Sequence, residues 1–201
     1  MRLILASASP ARLQTLISAG ITPEVVVSNV DESVFTAETP ADLACILAEK
    51  KAEAVFEDLG FPTDCIIIGC DSILDFEGKP VGKPGTPQAA IELLQRTRSR
   101  AGILVTGHHI IVSADTVHRV NRAGKTVIHV ADLSNEEIEA YVATGEPEHV
   151  AGGFTIDALG GPFITGIEGD PHNVVGLSLP LVRMMLADCG VQWTSLWTTG
   201  H

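Results

Sequence analysis

The first twelve residues constrain this chain most. Arg2-Leu3-Ile4-Leu5-Ala6 is a short apolar run that reads as a buried strand. Ser7-Ala8-Ser9 follows as a tight connector. Ser9-Pro10 then carries the signature of a helix N-cap with proline at the first helical position. The helix runs to about Ala19, with Gly20 as its stop. A strand that delivers the chain into a helix N-terminus leaves unpaired N–H groups and the positive end of the helix dipole at the join. With two serines and Arg12 beside it, phosphate is the natural guest. Taken alone, Ser9 is an ordinary cap and Arg12 a solvated charge.

Composition narrows the partners. The chain has 201 residues, 45% of them hydrophobic, enough for a substantial core. A net charge of −12 disfavours non-specific binding to nucleic acid polymers or anionic membranes, and 4% aromatics is too few for base-stacking platforms. An anionic small molecule would need a local cluster of basic residues, a metal, or both. Cys45, Cys65, Cys70 and Cys189 form no CxxC pair and read as buried thiols of a reducing compartment. No apolar run reaches the ~18 residues of a membrane span, and the run before Ala6-Ser7-Ala8 is too short for a signal peptide. A cytoplasmic location is expected.

The pattern along the chain is α/β with parallel-type and antiparallel segments mixed. Residues 24–27 read as a strand ending at the acidic turn Asn29-Val30-Asp31-Glu32. A long helix opens at Pro40 and includes Lys50 and Lys51, with Lys51 off its main apolar stripe. Residues 65–70 form a continuous apolar run, as in a strand buried on both faces, ending at Asp71-Ser72. Residues 73–76 read as a further short strand. The loop 78–85, rich in glycine and proline, holds Lys83 and leads to a helix over 88–96. Strands are expected over 103–112, 117–120 and 126–130, the last two joined by a turn at 121–124. Ser134-Asn135-Glu136-Glu137 is a capping box, 163–167 a strand and 177–187 the last helix.

Asp71 is the sharpest candidate for chemistry. A carboxylate that follows a buried strand can hold Mg²⁺ or act as a general base on water, or it can simply cap a turn. Asp31 and Glu32 add a second acidic pair at a strand end. Lys83 can neutralise a phosphate, although its loop lacks the P-loop spacing. His108 and His109 are adjacent on a strand, so their side chains point to opposite faces, and no metal is assigned to them.

Several blocks in register resemble the Maf family. They are residues 3–10, Val30-Asp31-Glu32, Gly69-Cys70-Asp71-Ser72, Gly82-Lys83-Pro84, Val105-Thr106-Gly107, residues 136–141 and residues 169–177. The resemblance implies a nucleoside triphosphate pyrophosphatase that releases a nucleoside monophosphate and pyrophosphate. It implies a fold similar to inosine triphosphatases: an elongated mixed sheet flanked by helices, with two lobes around a cleft. That fold would occupy residues 1–190, leaving 191–201 as a weakly specified tail. A homodimer and Mg²⁺ or Mn²⁺ are implied as well.

Carried over by position, Asp71 is the catalytic acid/base and Glu32 a metal-associated glutamate that shares the ion with Asp71. Ser7 and Arg12 contact phosphate, and Lys51 and Lys83 line the cleft. Three positions depart from the family pattern and are linked in it to base selection. Ala11 stands where arginine is frequent, Ser72 where threonine is usual, and Asp157 where glutamine is usual. The chemistry therefore transfers better than the identity of the base. An alternative of another class is a nucleotide-binding regulator of cell division that has lost catalysis, made tenable by Ala11. A third reading is an inosine-triphosphatase-like housecleaning enzyme with a purine preference.

Overall fold

The structure is a computed structural model, and it describes residues 1–198. The opening run forms β1 (Arg2–Ala6) and the capped segment forms α1 (Pro10–Ser18). The Ser9 hydroxyl accepts from the Arg12 backbone N–H, and Gly20 follows the helix with a left-handed φ of +84°. Then come β2 (Glu24–Val25), α2 (Pro40–Asp58) capped by Thr39, β3 (Cys65–Phe76) and β4 (Lys79–Val81). The chain continues through α3 (Pro87–Thr97), β5 (Ala101–Ser113), β6 (Val117–Val130) and α4 (Asn135–Val142), which has the capping box. It closes with β7 (Ile164–Glu168), α5 (Pro171–Val175) and α6 (Leu179–Asp188).

The strands form one mixed seven-stranded sheet in the order β2-β1-β3-β5-β6-β7, with β4 also on β3. β1 pairs parallel with β2 and β3, and the remaining pairs are antiparallel. Alternation assigns each face a partner. Leu5, Ile66, Ile68, Cys70 and Ile110 pack with Leu16 of α1 and with Val182 and Met185 of α6. Ile4, Ala6, Ile67 and Ile111 pack on the other face with Ala52, Val55 and Phe56 of α2. At the far end α3 and α4 pack together through Leu94, Ile138 and Tyr141. The mixed sheet flanked by helices is the α/β class expected.

Two readings of strand ends need correction. β3 does not stop at Asp71 but runs on to Phe76, because β5 pairs with it without interruption from Cys65 to Asp75. β6 is likewise one strand, not two strands around a turn at 121–124. Its register with β5 is unbroken from Val117 to His129. Among the described residues, 121–126 have no strand on their other side, and Asn121 and Arg122 sit exposed within a strand. The hairpin turn lies at 114–116 instead. β2 is shorter than expected, and the Asp170-Pro171 cap starts a separate short α5 before α6.

Cys65 and Cys70 are buried, but Cys45 and Cys189 are only partly so. The segment after α6 is docked as far as it is described. Leu196 is buried, Val191 and Trp193 pack on the α1–α6 cluster, and Thr198 donates to the Gly20 carbonyl. Residues 199–201 lie outside the described residues. Among the described residues no helix is long and apolar enough to cross a membrane.

Candidate active site

Asp71 lies opposite a gap in the sheet. On one edge of β3, β1 covers Cys65 to Gly69 and β4 covers Leu74 to Phe76. Among the described residues, 70–73 have no strand partner on that edge. β1 ends at the gap and α1 begins there, while the chain leaving β4 runs back toward it. The site expected at a strand end is thus a window in the side of a continuous strand. Successive residues of β3 serve its two faces: Asp71 points to α2, and Ser72 to α1.

On the α2 face, the Lys51 ammonium lies 2.6 Å from Asp71 Oδ1 and 2.7 Å from Glu32 Oε1. Lys51 and Asp71 are only 9% and 7% exposed. Lys51 therefore belongs to the packed side of α2 rather than to solvent. Glycine makes this possible. A Cβ on Gly69 or Gly107 would collide with the carbonyls of Ala48 and Ala44, so α2 rests on bare backbone beside Asp71. Burial raises the Asp71 pKa, opposed by Lys51 and Arg12, and Glu32 adds to the rise. A carboxylate of raised basicity facing a gap is suited to accept a proton from water.

On the other face, Arg12 is held at three points. Nε donates to the Gly176 carbonyl at 2.7 Å, and the two terminal nitrogens donate to Ser7 Oγ and Ser72 Oγ, both at 3.1 Å. A guanidinium has five N–H donors, so two make no bond among the described residues. Ser72 Oγ also meets Thr106 Oγ1 at 2.9 Å, and Thr106 donates to the Asn173 carbonyl at 2.8 Å. Asn173 is buried and donates to the Leu104 carbonyl and to Thr126 Oγ1. This chain of bonds anchors α5, and with it Gly176, to the sheet. Burial drives the Cys70 thiol up to about 11, so it stays protonated and is no nucleophile.

The structure unites Ser7, Arg12, Ser72, Lys51, Asp71 and Glu32 around the gap. It separates the remaining positions. Ala11 and Asp157 line a cavity of about 290 Å³ with Gln14, Thr15, His172 and Val175. Ser72 does not line that cavity and is bonded to Arg12 instead. Lys83 lies exposed in the loop after β4, with no side-chain bond among the described residues. His108 and His109 do point to opposite faces: His108 accepts from the Ser178 N–H at 2.9 Å, and His109 faces Glu53.

Among the described residues, no three His, Cys, Asp or Glu side chains form a group able to hold a metal. Two carboxylates do converge on one cationic point, the Lys51 ammonium. Mg²⁺ is commonly held by one or two carboxylates with substrate phosphates and water, so Asp71 and Glu32 fit a site completed by a phosphate substrate.

A family model described as Maf-like protein matches residues 2–189. The chain belongs to the Maf family. A Salinispora tropica relative named nucleoside triphosphate pyrophosphatase is 49% identical, covering 100% of this chain and 89% of that one. A Streptomyces coelicolor relative of the same name is 50% identical over 98% of this chain and 94% of that one. Another from Mycobacterium marinum is 45% identical over 98% and 97%.

The Maf blocks also hold residues to which the sequence reading gave no role. Thr106 and Gly107 lie in one block, and Asn173 and Gly176 in another. Only the fold shows that they support Ser72, α2 and Arg12. His172 lies in the same block as Asn173, whereas Gln14 and Glu146 carried no signal in the sequence.

Proposed function

We propose that this protein hydrolyses a nucleoside triphosphate to the monophosphate and pyrophosphate, with the gap beside β3 as its catalytic centre. The observation that carries the reading is a buried Asp71 held by Lys51, with Arg12 on the adjoining face keeping two donors unbonded among the described residues. The names of the relatives support the same reaction. Arg12, Lys51 and the α1 N-terminus bind the triphosphate and offset its charge, with Ser7 fixing Arg12 and Lys83 approaching from the β4 loop. Lys51 keeps Asp71 ionised and oriented. Asp71 takes a proton from water as the water oxygen attacks the α-phosphorus in line, and pyrophosphate departs. Asp71 and Glu32 would hold Mg²⁺ or Mn²⁺, which supplies charge neutralisation on the phosphate oxygens. The base enters the cavity shared by Ala11 and Asp157. A homodimer, implied by the family resemblance, and a cytoplasmic setting, expected from the unpaired cysteines, complete the proposal.

The test is pyrophosphate release from standard, methylated and deaminated nucleoside triphosphates, with Mg²⁺, with Mn²⁺ and with a chelator. Turnover is expected only with metal. Asp71→Asn is expected to cut it by ~10³-fold or more while nucleotide binding persists. Tight binding without turnover by the wild type would replace this reading with the non-catalytic regulator.

A further inference from the structure

Glu146 begins a short 3₁₀ turn after Gly145, whose φ is +79°. Its carboxylate collects four neutral donors. On Oε1 these are the Tyr141 hydroxyl at 2.8 Å, the Thr155 hydroxyl at 2.6 Å and the Gly160 N–H at 3.0 Å. On Oε2 it is the Leu159 N–H at 3.2 Å. Three of the four come from residues 155–160, whose exposed tip carries Asp157. The Thr155 hydroxyl also accepts from the Gly160 N–H at 3.2 Å, closing the loop across its base. Gly160 has no room for a side chain, because a Cβ there would strike Tyr141 Oη and the Thr155 backbone.

The support behind this carboxylate is rigid. Tyr141 is buried in the α3–α4 cluster, and its ring lies 5.3 Å from that of Phe163. Burial raises the Glu146 pKa, but bonds from Thr155, Tyr141, Leu159 and Gly160 outweigh it and hold the carboxyl below its usual value. Glu146 is therefore an acceptor for all four donors throughout the neutral range. A free loop tip samples many conformations, whereas Asp157 lines the cavity together with Ala11 and His172.

We infer that Glu146 is a positioning residue for base selection, a carboxylate clamp that closes the loop 155–160 so that Asp157 faces the cavity. The inference rests on the base-reading role proposed for Asp157. Glu146 bonds to none of Asp71, Lys51 and Arg12, so it acts on which base is accepted rather than on the bond broken.

The experiment measures kcat and KM across the nucleoside triphosphate panel for wild type, Glu146→Gln and Glu146→Asp. Hydrogen exchange over residues 155–160 is followed in parallel. The amide of Glu146→Gln keeps the shape but offers one acceptor atom instead of two. With the best nucleotide, kcat is expected within about twofold of wild type and KM about tenfold higher. The kcat/KM ratio between best and worst base falls about tenfold, and exchange at Leu159 and Gly160 accelerates. Glu146→Asp restores part of the selectivity because it keeps both acceptors.

Unchanged selectivity with a lowered melting temperature overturns the clamp, as does an equal loss of kcat on every base. If Glu146→Gln does not fold, Thr155→Val removes one donor and carries the same expectation at smaller size. A selective wild type with an equally selective Glu146→Gln removes the clamp alone. A wild type that turns over no nucleotide, or all alike, defeats the proposed function and the clamp with it.

Discussion

Ser72 and Asp157 show why a residue's chemistry and its position must be read together. Both stand where the Maf pattern usually has another side chain. Ser72 keeps a hydroxyl, and that hydroxyl is committed to Arg12 and Thr106. The serine thus preserves the contact and omits only a methyl group. Asp157 instead exchanges a side chain that donates and accepts for one that, as a carboxylate, only accepts. It lines the cavity together with Ala11 and His172. If the base enters this cavity as proposed, a carboxylate there would favour a base edge that presents N–H groups. Asp157→Gln is expected to move the preference toward a base edge presenting an acceptor, changing kcat/KM ratios by about tenfold or more. A nucleotide panel on that variant with the wild-type ranking would remove Asp157 from base selection.

Among the elements, α2 and β3 do most to assemble the site. Gly69 and Gly107 let the helix backbone settle against the sheet, with Ala44, Ala48 and Ala52 as its small contact residues. That close approach places Lys51 on Asp71. A methyl group at Gly107 must push the Ala44 turn away from the sheet. Gly107→Ala is expected to cost about 1–3 kcal/mol of stability, as overpacking does. The loss in kcat should exceed what the unfolded fraction explains, because Lys51 moves off Asp71. Urea denaturation and turnover of the same preparation separate the two effects, and an active Gly107→Ala of wild-type stability would show that α2 need not sit so close.

Caps and apolar runs made most elements legible in the sequence: Ser9-Pro10 and the capping box at Ser134 each start a helix where expected. The gap was not legible, because it arises from where β1 stops and β4 starts along a strand that neither one ends. Asp71 stood out by its chemistry, yet a strand end was the wrong reason. Lys51 was obscured because helical periodicity counts apolar residues, and a buried ammonium paired with two carboxylates breaks that count.

For the whole molecule, His108 ties the sheet to the start of α6, beside the Gly176 carbonyl that holds Arg12. It lies on β5 opposite Cys70, fully buried, and its Nε2 accepts from the Ser178 N–H at the start of α6. Two residues earlier, the Gly176 carbonyl holds Arg12. Burial lowers the His108 pKa to about 4, with repulsion from Arg12 adding to it and Asp170 opposing it. An unfolded histidine takes its proton near 6.5. Between those values the unfolded chain binds a proton that the native state refuses, so stability present above pH 6.5 is lost as pH falls toward 4. The full effect is on the order of 3 kcal/mol. Asp71 acts with the opposite sign in acid, since its raised pKa lets the native state take up a proton first. Only a difference between proteins therefore isolates the histidine. His108→Gln keeps an oxygen that can accept from Ser178 and removes the titration. Urea midpoints from pH 4 to pH 8 are expected to fall more steeply for wild type than for the variant, and turnover should fall with them as Gly176 releases Arg12. Parallel curves would place the acid sensitivity of the fold elsewhere than at His108.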